Sequence, residues 1–285
     1  MIEDKDIKSH FILGEEWLYY KFYCGKRTAD NILIQVLYPI LETLFEKELI
    51  DKWFFIRYAD PKPHLRIRFH LINVSEIRTV ISEVNKNISL YLESGLIWSV
   101  QIDTYQRELK RYNANCITEA ETLFFHDSQA CLAVLQLIED DKLLYLYTLK
   151  SIDRFLSLFD YSINQKLELA QKNKMLFKQE FNADKRLNKQ LKIKYLNLKH
   201  QIAYFMSDFE NEEYKSLINI LDNRDCMIRE VVKKLKEKKV IKMTLLSNYI
   251  HMMINRTFRD QQRLYELICY DHLAEYYKNT IEKNK

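Results

Sequence analysis

The chain is poor in the residues that turn a backbone: three glycines and three prolines in 285 residues. So few turn formers cannot serve the many tight connections of a β-barrel or β-sandwich, and they favour long helices. The same scarcity disfavours phosphate-cradling loops. Neither GxGxxG nor GxxxxGK[ST] occurs, which argues against a Rossmann or P-loop nucleotide enzyme. No apolar run approaches the roughly 20 residues of a membrane span, and the opening Met1–Ile7 is polar and acidic, unlike a signal peptide. A cytoplasmic location is therefore expected. There is no CxxC pair to suggest zinc. Cys24, Cys116, Cys131, Cys226 and Cys269 are odd in number and scattered, which reads as reduced, buried thiols. The excess of basic over acidic residues is only four, too small to indicate direct nucleic-acid binding.

What is present is enough apolar residue, 47%, to build a core, with 29% charged residues to cover it. The first hundred residues alternate strand and helix patterns. Strands are predicted over 16–25, 52–58, 64–70 and 96–105, and a helix over 74–93. A helix over 28–49 has Thr28 or Asp30 as its cap and Pro39 as the point where it kinks or splits. Ala59–Pro63 (ADPKP) is a turn between two strands of a hairpin. From Thr118 the pattern is almost continuously helical. Thr118 and Glu121 match a capping box ahead of an apolar run to Ile138, and further helices are predicted over 141–159, 161–180, 184–207, 211–238, 243–258 and 260–281. This is an α+β arrangement: an antiparallel sheet from the N-terminal part packed with many helices, then a mostly helical C-terminal part. The expected organisation is one domain over 1–285, strand-rich to 112 and helical from 113. The lysine-rich stretches Lys185–Lys199 and Lys233–Lys242 read either as contacts for RNA or an acidic partner or as solvated helix faces, with the acidic stretch Asp208–Glu213 nearby in sequence.

Three clusters could carry chemistry. In His64–His70 (HLRIRFH) the strand alternation puts Leu65, Ile67 and Phe69 on one face and His64, Arg66, Arg68 and His70 on the other. Arg66 and Arg68 then project side by side, about 7 Å apart. Two permanent cations so placed suit a carboxylate or phosphate, or else face solvent. In Asp103–Tyr112 (DTYQRELKRY), Glu108 and Arg111 fall at helical i and i+3, either a positioned acid/base with its partner or a surface ion pair. Around Thr244–Phe258, Leu245, Tyr249, Met252, Met253 and Arg256 share one helix face, and Thr244, Asn248, His251 and Asn255 another. His251 is there a general acid/base or a structural histidine. His126-Asp127-Ser128 superficially suggests a hydrolytic triad, but adjacency in sequence does not make triad geometry and there is no GxSxG elbow.

Read together, Trp53–Phe69 (WFFIRYADPKPHLRIRF), Asp103–Tyr112, Phe125–Ala130 (FHDSQA) and His251–Arg256 (HMMINR) resemble, in order, the C-terminal glutamate-elimination domain of class I lantibiotic dehydratases. That domain also occurs as stand-alone thiopeptide-type bacteriocin biosynthesis proteins. The resemblance implies a lyase, half of a split dehydratase, that expels glutamate from glutamylated Ser or Thr of a ribosomal precursor peptide to leave dehydroalanine or dehydrobutyrine. It places catalytic roles on Arg68, Glu108, Arg111 and His251, and substrate contacts on Arg66, His64, Tyr105, Asn255 and Arg256. It implies no metal or organic cofactor, a separate tRNA-dependent glutamylating subunit as partner, and leaves homodimerisation open. Two alternatives stand beside it: a pyridine synthase on the same fold that joins two dehydroalanines by formal [4+2] cycloaddition, and a non-catalytic peptide-binding or scaffold subunit. Two departures mark this chain. Asn113-Ala114 stand where the family often has two glycines, and Arg107 where it often has proline.

Overall fold

The computed structural model describes residues 7–207 and 214–283. The chain divides into two compact units, Met1–Leu137 and Ile138–Lys285. Among the described residues no helix is long and apolar enough to cross a membrane.

The first unit is built on a four-stranded antiparallel sheet, formed by β2 (Trp17–Cys24), β3 (Ile50–Tyr58), β4 (His64–Leu71) and β5 (Ile97–Ile102), in the order β3-β4-β2-β5. A two-residue pair, β1 (His10–Phe11) with β6 (Tyr105–Gln106), forms a second, separate sheet. Register defines the two faces of the large sheet. Leu18, Tyr20 and Phe22 pair with Phe69, Ile67 and Leu65, which in turn pair with Trp53, Phe55 and Arg57. Side chains alternate, so these residues share one face. Helices α1 (Lys26–Asn31), α2 (Tyr38–Glu46), α3 (Ile77–Glu93), α4 (Leu109–Tyr112) and α5 (Ile117–Leu137) complete the unit. The outer edge of β3 is partly closed by α5, where Ser128 Oγ accepts from the Phe55 amide at 3.3 Å. Ser128 thus ties a helix to a sheet edge.

Three local expectations need correcting. The helix predicted over 28–49 begins at Lys26, and its cap is Gly25 in an extended conformation without a side-chain bond. Asp30 instead turns inward and pairs with Arg57 at 2.6 Å, because two nearly buried opposite charges outweigh one exposed cap. The disturbance from Pro39 takes the form of a π turn over Ile32–Leu37, which leaves Pro39 in the first turn of α2, where its missing N–H costs nothing. The Thr118–Glu121 capping box does not form. Asn113 caps a 3₁₀ turn over Ala114–Cys116 that leads into α5, so Thr118 lies inside the helix.

Among the described residues the second unit has six α-helices: α6 (Asp141–Leu158), α7 (Ile163–Glu180), α8 (Lys185–Met206), α9 (Lys215–Glu237), α10 (Met243–Thr257) and α11 (Gln262–Lys283). The predicted start of α9 at 211, and the acidic stretch Asp208–Glu213, lie outside the described residues. Helix α7 starts at a complete capping box, Ser162 with Gln165. Helix α8 buries Leu191, Tyr195, Ile202, Phe205 and Met206 and leaves Lys185, Lys189, Lys192 and Lys199 exposed, as a solvated amphipathic helix does.

Inside this unit His272 is fully buried and shares a 2.6 Å hydrogen bond with the Tyr145 hydroxyl. Burial pushes its pKa down to about 4, against the pull of Asp271. The folded protein therefore takes up this proton later than the unfolded chain, whose histidines titrate near 6.5. Stability is full above that value and falls as the pH drops toward 4. Urea unfolding at pH 7 and pH 5 should differ by about 2 kcal/mol from this residue alone. His272→Gln should remove most of that difference, and an unchanged difference would show that other groups cause it.

Candidate functional site

The second face of the sheet carries the residues singled out above. Neighbouring strands place Tyr58, His64, Tyr23 and Ser99 in one row across it; Ile56, Arg66, Lys21 and Gln101 in the next; and Phe54, Arg68 and Tyr19 in a third. The expected side-by-side arginines are there, Arg68 buried at 7% exposed beside His64 at 3%, and Arg66 half-buried on a face whose Tyr58 and Gln101 are exposed.

The two arginines are held differently. The guanidinium of Arg66 lies 3.5 Å above the Tyr58 ring, and its Nε donates to His64 Nε2 at 3.1 Å. That nitrogen must be an acceptor, so the His64 proton sits on Nδ1, which donates to the Lys62 carbonyl at 2.8 Å. Burial lowers the His64 pKa and keeps the ring neutral. Arg68 lies among three aromatic rings, Tyr19 at 4.4 Å, Tyr105 at 4.8 Å and Phe54 at 5.0 Å. Its Nε and Nη1 are buried and have no hydrogen-bond partner among the described residues. Burial also pulls its pKa below the ordinary arginine value. The repulsion expected between the pair is thus met by separate aromatic surfaces, and of the two it is Arg68 that keeps buried donors without a partner among the described residues. Lys21 and Asp103 form an ion pair near the same rows, which lowers the Asp103 pKa.

Tyr105, β6 and the turn after it frame this face. The Tyr105 hydroxyl donates to Glu121 Oε1 at 2.8 Å, and Arg107 grips the same carboxylate through Nε and Nη2, both at 2.7 Å. Glu121 is 1% exposed. In the sequence Arg107 stood out only as a departure from proline and Glu121 only as part of a capping pattern; their pairing spans fourteen positions and no local pattern links them. Glu108 and Arg111 form the expected i,i+3 pair at 3.2 Å, with side chains 58% and 31% exposed. Asn113 has a positive φ of 66°, a value that asparagine tolerates better than most residues and that explains its place where the related pattern has glycine.

In the second unit α10 presents the expected polar stripe, with Asn248, His251 and Asn255 half-buried and Thr244 exposed. Arg256 is 1% exposed. Sequence reasoning missed the partner of His251. Its Nδ1 lies 2.7 Å from Oε1 of Glu266, which is on α11 and almost fully buried. Arg263 Nη1 donates to the same oxygen at 3.2 Å, while its Nε donates to Glu180 Oε1 at 3.0 Å. Glu266 lies fifteen positions beyond His251, and no local pattern links two such residues.

The first unit thus carries an arginine with unmatched buried donors, and the second a histidine backed by a buried carboxylate. The family model for the lantibiotic biosynthesis dehydratase C-terminus matches residues 17–277, and the chain belongs to that family. It is 27% identical over 183 residues to the subtilin biosynthesis protein SpaB of Bacillus subtilis, a match covering 61% of this chain and 17% of that protein. It shares its fold with the tRNA dependent lantibiotic dehydratase MibB from Microbispora sp. 107891, with a TM-score of 0.73 and 18% identity over 95% of this chain and 29% of that one. The pyridine synthase TbtD, from thiomuracin biosynthesis, has a similar fold, with a TM-score of 0.68 and 12% identity over 93% of this chain and all of that one. The chain thus spans under a third of the length of SpaB and of MibB.

Proposed function

We propose that this protein is a lyase that eliminates glutamate from glutamylated Ser and Thr residues of a ribosomal precursor peptide. The glutamate would be installed by a separate tRNA-dependent subunit. The observation that carries this reading is Arg68, a buried cation with two unmatched N–H donors in an aromatic box. Such a group stabilises negative charge that develops during a reaction, because its donors are fixed in advance and shielded from water. Elimination develops that charge twice, on the peptide carbonyl as the α-proton leaves and on the departing carboxylate. Arg66 is fixed by His64 and Tyr58 and supports the same face. The Glu108–Arg111 pair adds an acid/base group beside a cation. His251 supplies an imidazole nitrogen that can take up or give a proton. The half-buried Asn255 offers an amide to the peptide.

The decisive experiment incubates the purified protein with a precursor peptide carrying glutamyl-Ser and follows the peptide mass. Conversion to the dehydrated peptide with release of glutamate is the expected result. A glutamyl adduct that persists would sink the reading. Macrocycle formation from an already dehydrated peptide would reassign the protein to the pyridine synthases.

A further inference from the structure

We infer that Glu266 is a positioning residue that makes His251 a base acting through Nε2, an assignment that rests on the elimination reading. Arginine can only donate, so Glu266 Oε1 is an acceptor toward Arg263 Nη1. The same oxygen lies 2.7 Å from His251 Nδ1 and accepts from it. The proton of the neutral ring is then on Nδ1, and the lone pair is on Nε2. Among the described residues Nε2 has no hydrogen-bond partner, and the His251 side chain is 22% exposed, so this nitrogen can meet a substrate.

The surroundings support more than a helix–helix staple. Arg263 is half-exposed, is engaged by both oxygens of Glu180 on α7, and lies 4.4 Å over the Phe177 ring, so it does not depend on Glu266 for a partner. The result is an alternating series across three helices: His251 on α10, Glu266 and Arg263 on α11, Glu180 on α7. Arg263 restrains the carboxylate, and the carboxylate restrains the ring. A buried carboxylate behind an imidazole fixes the tautomer and stabilises the imidazolium that forms.

In the reaction the Nε2 lone pair takes the α-proton of the glutamylated residue. The C–H electron pair becomes the Cα=Cβ bond, the Cβ–O pair departs with the oxygen, and glutamate leaves as a carboxylate. The proton stays on His251 as an imidazolium facing Glu266, and then passes to water.

Two measurements test the assignment. Nitrogen-15 NMR of histidine-labelled protein, with His251→Gln to identify the signal, should show the Nδ1–H tautomer in the wild type and a mixture in Glu266→Gln. Elimination kinetics should show kcat reduced roughly 100-fold in Glu266→Gln with KM nearly unchanged, and largely restored in Glu266→Asp. An Nε2–H tautomer in the wild type, or wild-type kcat in Glu266→Gln, would overturn the assignment. If the wild-type protein releases no glutamate, the elimination reading fails by itself. The tautomer spectra of the wild type and Glu266→Gln, which need no substrate, then still decide whether Glu266 orders the ring.

Discussion

Arg68→Met should lower kcat/KM for glutamate release by about 10³-fold and leave the protein about as stable as the wild type. The two halves of this expectation come from one arrangement. Arg68 is 7% exposed, and its Nε and Nη1 meet no acceptor among the described residues. A buried cation without a hydrogen-bonded anion lost its hydration in folding, and attraction to the rings of Tyr19, Phe54 and Tyr105 offsets that only in part. Methionine fills similar space, keeps favourable sulfur–aromatic contacts and removes the desolvation cost. Thermal unfolding should therefore shift by no more than the equivalent of about 1 kcal/mol. A residue that lowers activity without supporting the fold is one retained for chemistry. Arg68→Lys separates charge from shape: it keeps the cation but loses the planar fork, and should recover little activity. Arg66→Met should cost less, about 10-fold, since Arg66 already has its donor Nε and its face engaged within the protein. If Arg68→Met instead unfolds the chain, Arg68 is a structural cation and the reading of this face is wrong.

Much of this face was legible in the sequence because a strand has the shortest period a side-chain pattern can have. Seven residues, His64–His70, were enough to assign both faces of β4, and the partners in β2 and β3 follow from register. The helices of the second unit were legible for a related reason: their apolar stripes run over many turns, and few glycines or prolines interrupt them. What escaped was every pairing of polar residues between elements. Asp30 looked like a cap and is an inward partner of Arg57. Glu121 looked like half of a capping box and is the carboxylate that holds Arg107 and Tyr105. Glu266 looked like any helix glutamate and lies against His251. Local patterns describe the contacts a residue makes with its own turn. Once a charge is buried, a single partner of opposite sign outweighs those contacts, and nothing in the spacing announces which partner it will be. The burial of Arg68 was hidden for the same reason. Alternation separates two faces of a sheet, but it does not say that Tyr105 will pack against Arg68.

Glu121→Ala should destabilise the protein by about 3 kcal/mol or more, measured by urea unfolding. The carboxylate is 1% exposed and accepts three bonds, one from the Tyr105 hydroxyl and two from Arg107. Alanine removes all three acceptors at once. It strands the Arg107 fork, whose side chain is 12% exposed, and leaves the buried Tyr105 hydroxyl unmatched. Arg107 cannot simply swing into water, because its Nη1 also donates to the Lys8 carbonyl and its guanidinium lies 4.7 Å over the Phe11 ring. Replacing both partners tests this account directly. Arg107→Met with Glu121→Met removes donor and acceptor together and should recover a large part of the loss, a non-additivity that two independent sites would not show. The same variants link stability to chemistry. Tyr105 is one wall of the box around Arg68, and its hydroxyl is held by Glu121, to which it donates, and by the Arg107 that Glu121 grips. Loosening that tether should lower elimination further than the folded fraction explains. The double variant should regain stability ahead of activity, because methionine at position 121 packs the core but cannot hold the Tyr105 hydroxyl. Equal recovery of both would mean that Tyr105 needs only its neighbours' bulk to stay against Arg68.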